Sequence, residues 1–495
     1  MGKHQVLVAS NRGPVSFSLS DDGNLAARRG GGGLVSGLSS VAGPDTDVLW
    51  ICAALSEADR KAARRAPGGR LDLDGHDTDA AVQMLDIPPV TFHRAYNGVA
   101  NSTLWFVHHL LYDTPNRPLF GLSWKREWAS YWSYNAAFAG ALAAAARDVA
   151  NAAPGIVEVG TGPPGARALV QDYHLTLVPR MLRDAHPTLR IAHFSHTPWA
   201  PPDYYRVLPD HIARDVLDGI LGADHAGFHC ERWAQAFLDC CAEFLDAEVD
   251  KKRRTARYRG RVTRVGVHAL GVDGAGLRER AGERDVAARM QTLRDAVGER
   301  KLIVRIDRTE LSKNIVRGLA AYRELLATHP EWRGKVVHLA FAYPSRPNLP
   351  EYREYMASVQ RIAGEIEDEY ATDDWDPLIL QVVDDYPRSL AAYRLADVLL
   401  VNPIRDGMNL VAKEGPVLSE RGCGLVLSRE AGAAAELGAD AFLVNPFDIS
   451  GTADALHQAL IMPSSERLAR CARLMAAATA LPPRQWFADQ LTALD

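Results

Sequence analysis

Short apolar runs alternate with longer amphipathic segments along most of the chain. Residues 5–10, 191–195 and 302–307 are examples of such runs, rich in Val, Ile, Leu and Ala. Runs of this kind are typical of strands buried on both faces of a parallel sheet. Their alternation with helical segments predicts an α/β fold with doubly wound sheets.

The alternation occurs in two halves, which predicts two Rossmann-like domains with a cleft between them. We expect the first domain at residues 1–273 and the second at residues 274–478. A final helical segment, residues 479–495, is expected to return to the first domain. At 495 residues the chain is long enough for two domains of ordinary size.

Polar residues follow several of the predicted strands directly. Asp172 comes after the run at 168–171, and His196 comes after the run at 191–195. In a doubly wound sheet the carboxyl ends of the strands form the edge where ligands bind. We therefore expect Asp172 and His196 to face one crevice, although a single histidine in such a place is more often structural.

The most informative stretch is residues 401–416, VNPIRDGMNLVAKEGP. It predicts the end of a strand, a polar turn at Gly407 and the start of a helix, whose backbone N–H groups can bind an anion. Asp406 can accept a hydrogen bond from a sugar hydroxyl, and Glu414 can accept two from a ribose. The alternative is an N-cap Asp and a surface Glu, because short motifs often match by chance.

Two further segments place cations beside a turn. Arg28 and Arg29 precede the glycines at 30–33, where backbone N–H groups can approach a phosphate closely, although a flexible loop has the same composition. Arg308 and Lys313 follow the strand at 302–307 and can neutralise a diphosphate. Taken singly, each of these two is more simply explained as a solvated surface cation.

Charge and cysteine content exclude several classes of protein. A net charge of −5 argues against a broad nucleic-acid-binding surface. The 6 cysteines are scattered without a CxxC pair, so neither a zinc site nor a disulfide framework is expected. We recognise no signal peptide and no apolar run long enough for a membrane span, so we expect a cytoplasmic protein that binds no membrane.

Beyond these features, the chain resembles the trehalose-6-phosphate synthases, glycosyltransferase family 20. The similar pieces follow the family order over nearly the whole chain, and the segment RDGMNLVAKE that begins at Arg405 is highly specific. The other pieces are Ser10-Asn11-Arg12, Gly32-Gly33-Leu34, Tyr96-Asn97-Gly98, Leu104-Trp105, Asp172-Tyr173-His174-Leu175, His196 with Pro198, Asp307-Arg308 with Ser312-Lys313, and Ser345-Arg346.

The resemblance implies a fold, an activity and substrates. It implies the GT-B arrangement of two Rossmann-like domains facing a cleft. It also implies a retaining glucosyl transfer from GDP-glucose or UDP-glucose to glucose 6-phosphate, which gives α,α-trehalose 6-phosphate without a metal or other cofactor. The actinobacterial character of the sequence favours GDP slightly. In this family the leaving phosphate is thought to take the acceptor proton, while the protein supplies positioning and electrostatic stabilisation.

The resemblance also implies roles for individual residues. The implied catalytic residues are Asp172, His196, Arg308, Lys313 and Asp406. The implied donor-binding residues are Gly33, His196, Arg308, Lys313, Asp406, Gly407, Met408, Asn409, Leu410 and Glu414. The implied acceptor-binding residues are Arg12, Gly32, Gly33, Tyr96, Trp105, Asp172 and Arg346.

The chain departs from the family pattern at two places. Ala53 stands where the family usually has a tryptophan of the acceptor site. In the loop after Arg308, the pairs Glu310-Leu311 and Lys313-Asn314 replace the usual Asp-Tyr and Lys-Gly. Two alternatives therefore stay open: a pseudo-glycosyltransferase of the validoxylamine phosphate synthase type, and a catalytically silent subunit that senses sugar phosphate. A homo-oligomer is compatible with all three hypotheses.

Overall fold

The computed structural model describes residues 6–19, 24–29, 47–71, 80–152, 166–346 and 348–495. The chain divides into two compact units: Met1–Ala269 with Pro483–Asp495, called the first unit, and Leu270–Pro482, called the second unit. The second unit begins at 270 rather than at the predicted 274, and it ends at 482 rather than at 478. The expected glycine turn at Gly32 and Gly33 lies outside the described residues.

The first unit contains a ten-stranded sheet and a separate hairpin. Its strands are β1 (Val6–Ser10), β2 (Val15–Leu19), β3 (Leu25–Arg29), β4 (Val48–Ala53), β5 (Arg70–Leu71), β6 (Ala81–Leu85), β7 (Arg167–Gln171), β8 (Arg190–Ser195), β9 (His225–Phe228), β10 (Glu248–Asp250), β11 (Thr255–Tyr258) and β12 (Arg261–Val267). The order in the sheet is β10-β11-β12-β9-β8-β7-β1-β4-β6-β5.

Helices connect these strands. They are α1 (Glu57–Arg65), α2 (Pro89–His93), a π-helix (Arg94–Leu104), α3 (Trp105–His109), α4 (Leu122–Ala152), α5 (Val178–Ala185), α6 (Pro202–Tyr205), α7 (Asp210–Ile220) and α8 (Glu231–Leu245), with short 3₁₀ segments at Pro67–Gly69 and Tyr173–Leu175. After the 3₁₀ segment at Tyr173–Leu175, α5 begins at Val178.

The centre of this sheet is parallel, as the apolar runs predict. β1 pairs in parallel with both β4 and β7, and β7, β8 and β9 continue in parallel across the sheet. Every residue of β1 and β4 is buried. Because these strands run in one direction, the residues that follow β1, β7 and β8 all lie at one edge of the sheet. Arg12, Asp172 and His196 occupy those positions.

The hairpin of β2 and β3 is not among the elements predicted from the sequence. The residues of β2, VSFSL, alternate apolar and polar, which is the period of a half-exposed strand. The backbone N–H of Phe17 donates to Asp59 Oδ1 at 2.7 Å, so α1 holds the hairpin in place. Arg28 lies on β3, paired with Ser16.

A helix near the end of the chain, Pro483–Thr492, packs on the first unit. Trp486 is buried, and its ring centroid lies 4.9 Å from Phe194 and 5.5 Å from His196. Gln171 Nε2 donates to Gln490 Oε1 at 3.3 Å. The helix therefore supports the same strand ends that carry Asp172 and His196.

The second unit is built on a six-stranded sheet whose pairs are all parallel. Its strands are β13 (Lys301–Arg308), β14 (Val336–Tyr343), β15 (Leu378–Gln381), β16 (Val398–Val401), β17 (Gly424–Ser428) and β18 (Phe442–Val444), in the order β15-β14-β13-β16-β17-β18. Apolar strand residues are buried nearly throughout β13, β14, β16 and β17.

The helices of the second unit cover this sheet. They are α9 (Gly274–Ala281), α10 (Arg284–Val297), α11 (Ile315–Thr328), α12 (Pro350–Tyr370), α13 (Tyr386–Leu395), α14 (Val411–Leu418), α15 (Ala434–Leu437), α16 (Ile449–Ile461) and α17 (Ser464–Thr479), and the helix of the first unit that follows is α18 (Pro483–Thr492). Short 3₁₀ segments lie at Leu311–Lys313 and Pro330–Trp332. No helix in the described ranges combines the length and the apolar character that crossing a membrane requires.

Three buried histidines give the fold a pH dependence. Burial lowers the pKa of His193 to about 4, of His225 to about 3 and of His338 to about 3. The folded state therefore holds neutral rings, whereas the unfolded chain takes up protons near pH 6.5. Because the unfolded state then binds more protons, stability is greatest above about pH 6.5 and falls below it.

We predict that the free energy of unfolding decreases between about pH 6.5 and 5, with up to about 1.4 kcal/mol per pH unit from each histidine. Urea denaturation at several pH values in this window measures the slope before most carboxylates titrate. His338→Phe removes one titrating ring from the second unit and should give a smaller slope than the unchanged chain. Equal slopes for the two proteins would contradict the conclusion that the buried ring of His338 contributes to the pH dependence of stability.

Candidate active site

Asp172 is the centre of a polar cluster in the first unit. It follows β7 with φ 77 and ψ 170, a backbone conformation that L-residues rarely adopt. Its Oδ1 accepts a hydrogen bond from the backbone N–H of His196 at 3.2 Å, and His174 Nδ1 lies 3.7 Å from its Oδ2. The unusual backbone therefore turns the carboxylate towards the residues that follow β8.

The carboxyl group of Asp172 is held in its charged form. Burial acts to raise the pKa of Asp172, but interactions with His174 and His196 outweigh it and lower the pKa to about 2. A permanently charged carboxylate at a strand end is a strong acceptor for hydroxyl groups.

His196 is held as a neutral ring. Burial lowers its pKa, although the charge of Asp172 acts in the opposite direction. Its Nε2 lies 3.0 Å from Gln171 Oε1, which can only accept, so Nε2 carries the proton and Nδ1 is an acceptor. The ring packs against His229 at 5.2 Å and against Trp486 at 5.5 Å. The site thus combines a charged carboxylate with a neutral imidazole.

Two predicted aromatic residues border this cluster. Tyr96, on the π-helix, stacks on His174 with ring centroids 5.5 Å apart. Trp105, the first residue of α3, stacks on His109 at 3.9 Å and is tilted against Tyr173 at 5.6 Å. Both rings therefore contact the residues that follow Asp172. A π-helix is uncommon and is frequent at functional sites.

Arg12 follows β1, and Ala53 is the last residue of the neighbouring strand β4. Arg12 is exposed, and its carbonyl oxygen accepts a hydrogen bond from Ser10 Oγ at 2.7 Å. Ala53 is only 2% exposed and belongs to the apolar core. Its backbone N–H donates to the carbonyl of Asn11 at 3.2 Å, so it lies directly beside the Arg12 turn. The site therefore lacks an indole at a position that the family usually fills with one.

In the second unit, an ion pair joins the loops after β13 and β16. Lys313 Nζ donates to Asp406 Oδ2 at 2.6 Å, and Asn409 Nδ2 donates to the same oxygen at 3.1 Å. Burial acts to lower the pKa of Lys313, but Asp406, Asp307 and Glu310 raise it further than burial lowers it. The ammonium therefore stays charged at neutral pH.

The buried guanidinium of Arg305 holds the loop that carries Lys313 in place. Arg305 is fully buried, and its Nη2 donates to Asp307 Oδ2 at 2.8 Å and to the Lys313 carbonyl at 3.0 Å. Asn314 has φ 59, in the left-handed region, and its Nδ2 donates to the carbonyls of Asn402 and Pro446. The family usually has glycine here, and asparagine is the other residue that tolerates this conformation.

The turn at Asp406 is held by a close approach of two backbones. The backbone N–H of Gly432 donates to the Asp406 carbonyl at 3.0 Å, and that of Ala433 donates to the Met408 carbonyl at 2.8 Å. A Cβ at position 432 would lie 1.9 Å from the Gly407 carbonyl oxygen. Only glycine permits this contact, which fixes the backbone of Asp406, Gly407 and Met408.

Glu414 and Lys413 are neighbours on α14 with different surroundings. Lys413 is fully buried, and its Nζ donates to the Leu270 carbonyl at 2.8 Å and to Glu436 Oε2 at 2.6 Å. Glu414 accepts a hydrogen bond from Tyr393 Oη at 3.0 Å, and burial raises its pKa. Lys413 is therefore structural, whereas Glu414 keeps acceptor capacity for a ligand.

Glu310 is a buried anion that the sequence interpretation noted only as a departure from the family. It accepts a hydrogen bond from Ser345 Oγ at 3.0 Å. Burial acts to raise its pKa, but Arg346, Arg308 and Lys313 lower the pKa to about 2. The carboxylate of Glu310 thus stays charged at neutral pH and interacts electrostatically with three of the predicted cations. No local pattern in the sequence indicates this role, because it depends on a contact with Ser345, which lies far along the chain.

Among the described residues of the second unit, His329, Glu331 and His457 lie close together but do not form a convergent metal cradle. His329, Glu331 and His457 have ligand atoms within 4.8 Å of one another. However, the two imidazoles are stacked at 3.7 Å with an interplanar angle of 8°, so their lone pairs run parallel. His457 Nδ1 also accepts a hydrogen bond from Trp332 Nε1 at 3.1 Å.

The predicted residues therefore fall into two clusters, one in each unit. Asp172, His196, Tyr96 and Trp105 are brought together in the first unit. Arg308, Lys313, Arg346, Asp406, Asn409 and Glu414 lie at the strand ends of the second unit, with Gly407, Met408 and Leu410 in the turn that leads to α14. Arg346, implied to bind the acceptor with Arg12, thus belongs to the second unit.

Two units with parallel doubly wound sheets, each with charged residues at its strand ends, are the architecture of a two-domain glycosyltransferase. The sequence model of glycosyltransferase family 20 matches residues 4–495 of the chain. The chain belongs to this family, which confirms the resemblance seen in the sequence.

Relatives of known name match the chain over nearly its full length. The trehalose-6-phosphate synthase of Mycobacterium avium is 33% identical over 510 residues, which cover 100% of this chain and 96% of that protein. The bifunctional trehalose-6-phosphate synthase/phosphatase of Thermoproteus tenax is 31% identical over 99% of this chain. This chain spans 63% of the length of that bifunctional relative.

Solved structures confirm the fold. The α,α-trehalose-phosphate synthase (UDP-forming) of Burkholderia vietnamiensis is similar with a TM-score of 0.81 and 29% identity, covering 99% of each chain. The Burkholderia xenovorans synthase, solved in complex with glucose 6-phosphate, is similar with a TM-score of 0.81 and 26% identity over 99% of each chain.

The Gly432 contact leads to a prediction about stability. Gly432→Ala should lower the free energy of unfolding by about 1–3 kcal/mol, because the new Cβ must displace the backbone of Gly407. Gly364→Ala is the matched control, since a Cβ there meets nothing within 4 Å and the residue lies in α12. The control should raise stability by up to about 1 kcal/mol. Thermal or urea denaturation measures both, and equal effects of the two substitutions would contradict the prediction.

Proposed function

We propose that this chain is a trehalose-6-phosphate synthase. It moves glucose from a nucleoside diphosphate glucose to glucose 6-phosphate and forms α,α-trehalose 6-phosphate with retention at the anomeric carbon. The observation that carries the proposal is the cluster of Arg308, Lys313, Asp406 and Glu414 at the strand ends of the second unit. The names of the mycobacterial and Burkholderia relatives support the same activity.

The second unit binds the donor. Arg308 is exposed at the end of β13, and its guanidinium makes no hydrogen bond or ion pair within the described ranges. With Lys313 it offers two permanent cations to a diphosphate, and cations aimed at a leaving group lower the barrier most where charge develops. Glu414 holds the ribose, while Asp406 and the turn through Asn409 and Leu410 hold the glucose and the phosphates.

The first unit supplies the residues that orient sugar hydroxyls. Charged Asp172 accepts hydrogen bonds from hydroxyl groups, and neutral His196 can accept one at Nδ1. Tyr96 and Trp105 provide aromatic surface for the apolar faces of a sugar ring. Exposed Arg12 binds the 6-phosphate of the acceptor, and Arg346 is also proposed as an acceptor-binding residue.

The mechanism follows from these charges. Arg308 and Lys313 stabilise the departing diphosphate, so its bond to the anomeric carbon breaks as negative charge accumulates on the phosphate oxygens. The acceptor hydroxyl attacks from the same face, and its proton passes to a leaving phosphate oxygen. The side chains position the reactants and stabilise charge, and we propose that the two cations do this without a metal or other cofactor.

A cyclitol-joining activity is the second candidate, and one observation favours it. Ala53 leaves the acceptor side without the indole that the family usually places there. A smaller side chain at the end of β4 suits an acceptor that differs from glucose 6-phosphate. One assay distinguishes the synthase from this candidate and from a catalytically silent subunit that senses sugar phosphate.

That assay is nucleotide release. GDP-glucose and UDP-glucose are each supplied with and without glucose 6-phosphate, and the product is analysed for trehalose 6-phosphate. We expect release that depends on the acceptor and gives the disaccharide. Failure with both donors would reject the synthase. Nucleotide release from a nucleotide-linked cyclitol donor, with an amino-cyclitol phosphate as acceptor, would then support the second candidate.

The role of Arg308 gives a quantitative prediction. Arg308→Ala should lower kcat by a factor on the order of a hundred or more, because a stabiliser of the departing charge is lost. Circular dichroism and the thermal midpoint should stay unchanged, since the side chain is exposed. Arg284→Ala, an exposed arginine at the start of α10, is the matched control and should keep full activity. A kcat for Arg308→Ala near that of the control would remove Arg308 from the mechanism.

A further inference from the structure

A row of hydrogen bonds connects the last helix of the chain to the ring of His196. Gln490, on α18, donates from Nε2 to the backbone carbonyl of Trp486 at 3.3 Å. Gln171, the last residue of β7, donates from its Nε2 to Gln490 Oε1 at 3.3 Å. The Oε1 of Gln171 lies 3.0 Å from His196 Nε2. All four residues belong to the first unit, so the row reaches from a helix carbonyl to a ring that we propose orients a sugar hydroxyl.

The carbonyl of Trp486 sets the direction of every hydrogen bond in this row. A backbone carbonyl can only accept, so it takes the N–H end of the Gln490 amide. The oxygen of that amide then faces Gln171 and accepts from its N–H group. The oxygen of Gln171 in turn faces His196, and this oxygen also can only accept. The ring nitrogen at the end of the row is therefore the one that carries the hydrogen.

Burial opposes the reverse orientation of either amide. Gln171 is 0% exposed and Gln490 is 1% exposed, so bulk water does not replace a lost partner. Turning the Gln490 amide around would set its oxygen against the carbonyl of Trp486. Turning the Gln171 amide around would set its oxygen against that of Gln490. Because buried polar groups without partners are costly, the observed orientation of both amides is strongly favoured.

The tautomer of His196 decides what the ring can offer to a ligand. A neutral imidazole has one nitrogen that donates and one that accepts, and the partner of one nitrogen fixes the role of the other. With the hydrogen on Nε2, the Nδ1 atom accepts from a hydroxyl group. In the other tautomer Nδ1 would donate instead. A ring without a partner at Nε2 populates both forms, so a fixed acceptor requires a fixed partner.

We propose that Gln490 is a positioning residue for the glucosyl transfer, acting through Gln171 to hold His196 in the tautomer whose hydrogen is on Nε2. The inference rests on the proposed function and deepens it. Nδ1 of His196 then accepts a hydrogen bond from a hydroxyl group of the transferred glucose, whereas Gln490 itself touches no substrate. A residue near the end of the chain thus determines how one ring of the site meets the sugar.

Nitrogen NMR of the full chain, labelled with ¹⁵N-histidine, tests the tautomer directly, and the signal of His196 is the one lost in His196→Gln. The unchanged chain should show the hydrogen on Nε2. Gln490→Met, which is similar in shape but lacks the amide, should populate the form with the hydrogen on Nδ1. Gln490→Glu should keep the original form, because a carboxyl oxygen still accepts from Gln171. Gln485→Met, at an exposed position of the same helix, is the matched control and should change nothing.

Steady-state kinetics tests the consequence for transfer. Gln490→Met should lower kcat about tenfold, the effect of losing one hydrogen bond to the reacting sugar. The KM for glucose 6-phosphate should change less than about twofold, since the acceptor side is untouched. Gln490→Glu should recover most of the loss, and Gln485→Met should keep full activity. Gln171→Met should cost as much as Gln490→Met, and combining the two should add no further loss, because both act on one contact.

Four results would overturn the proposal. The first is a His196 tautomer or a kcat that Gln490→Met leaves unaltered. The second is an equal loss in Gln490→Met and Gln490→Glu, and the third is additive losses in the double variant, since Gln490 would then act by another route. If Gln490→Met does not fold, Gln490→Asn takes its place, because its amide is one methylene too short to reach Gln171, and an unaltered tautomer there is the fourth. If the unchanged chain transfers no glucose, the proposed function fails, and the NMR spectra alone decide whether Gln490 sets the tautomer.

Discussion

The bond between Lys313 and Asp406 is the interaction on which the second unit's site depends. It joins the loop after β13 to the loop after β16, two strands that are neighbours in the sheet. Arg305 holds the first loop through the Lys313 carbonyl, and the Gly432 contact holds the second. Each loop is therefore held by two interactions. One is with its own supporting residue, Arg305 or Gly432, and the other is the bond between Lys313 and Asp406. A cation and an anion are thereby kept at positions set by the sheet.

In the first unit, the central charged residue is stabilised by a different kind of interaction. Here the central anion, Asp172, forms no ion pair with a lysine or arginine of the described residues and is stabilised by a backbone N–H and by histidine rings. Because burial keeps His196 neutral, the cluster carries negative charge at neutral pH. The two units thus offer opposite electrostatic environments, one suited to hydroxyl groups and the other to phosphates.

Much of this arrangement could be predicted from the sequence because it is local. Apolar runs followed by polar residues place Asp172, His196 and Arg308 at strand ends, and the segment from Arg405 to Glu414 is specific enough to identify the family. The β2–β3 hairpin was missed because its alternation is short and its support, Asp59, is distant in sequence. The roles of Glu310 and Gly432 depend on contacts with residues far along the chain, so no local pattern indicates them. The departure at Asn314 is explained only by its left-handed backbone.

The helix Pro483–Thr492 has a consequence for how the protein is made. Trp486 packs on Phe194 and His196, yet more than half of the chain separates them, and the whole second unit is synthesised in between. During synthesis on the ribosome, the apolar surface beside His196 stays uncovered while residues 270–482 are translated. The first site is completed only when Trp486 arrives, so an abortive chain that stops within the second unit exposes a surface that chaperones and proteases recognise.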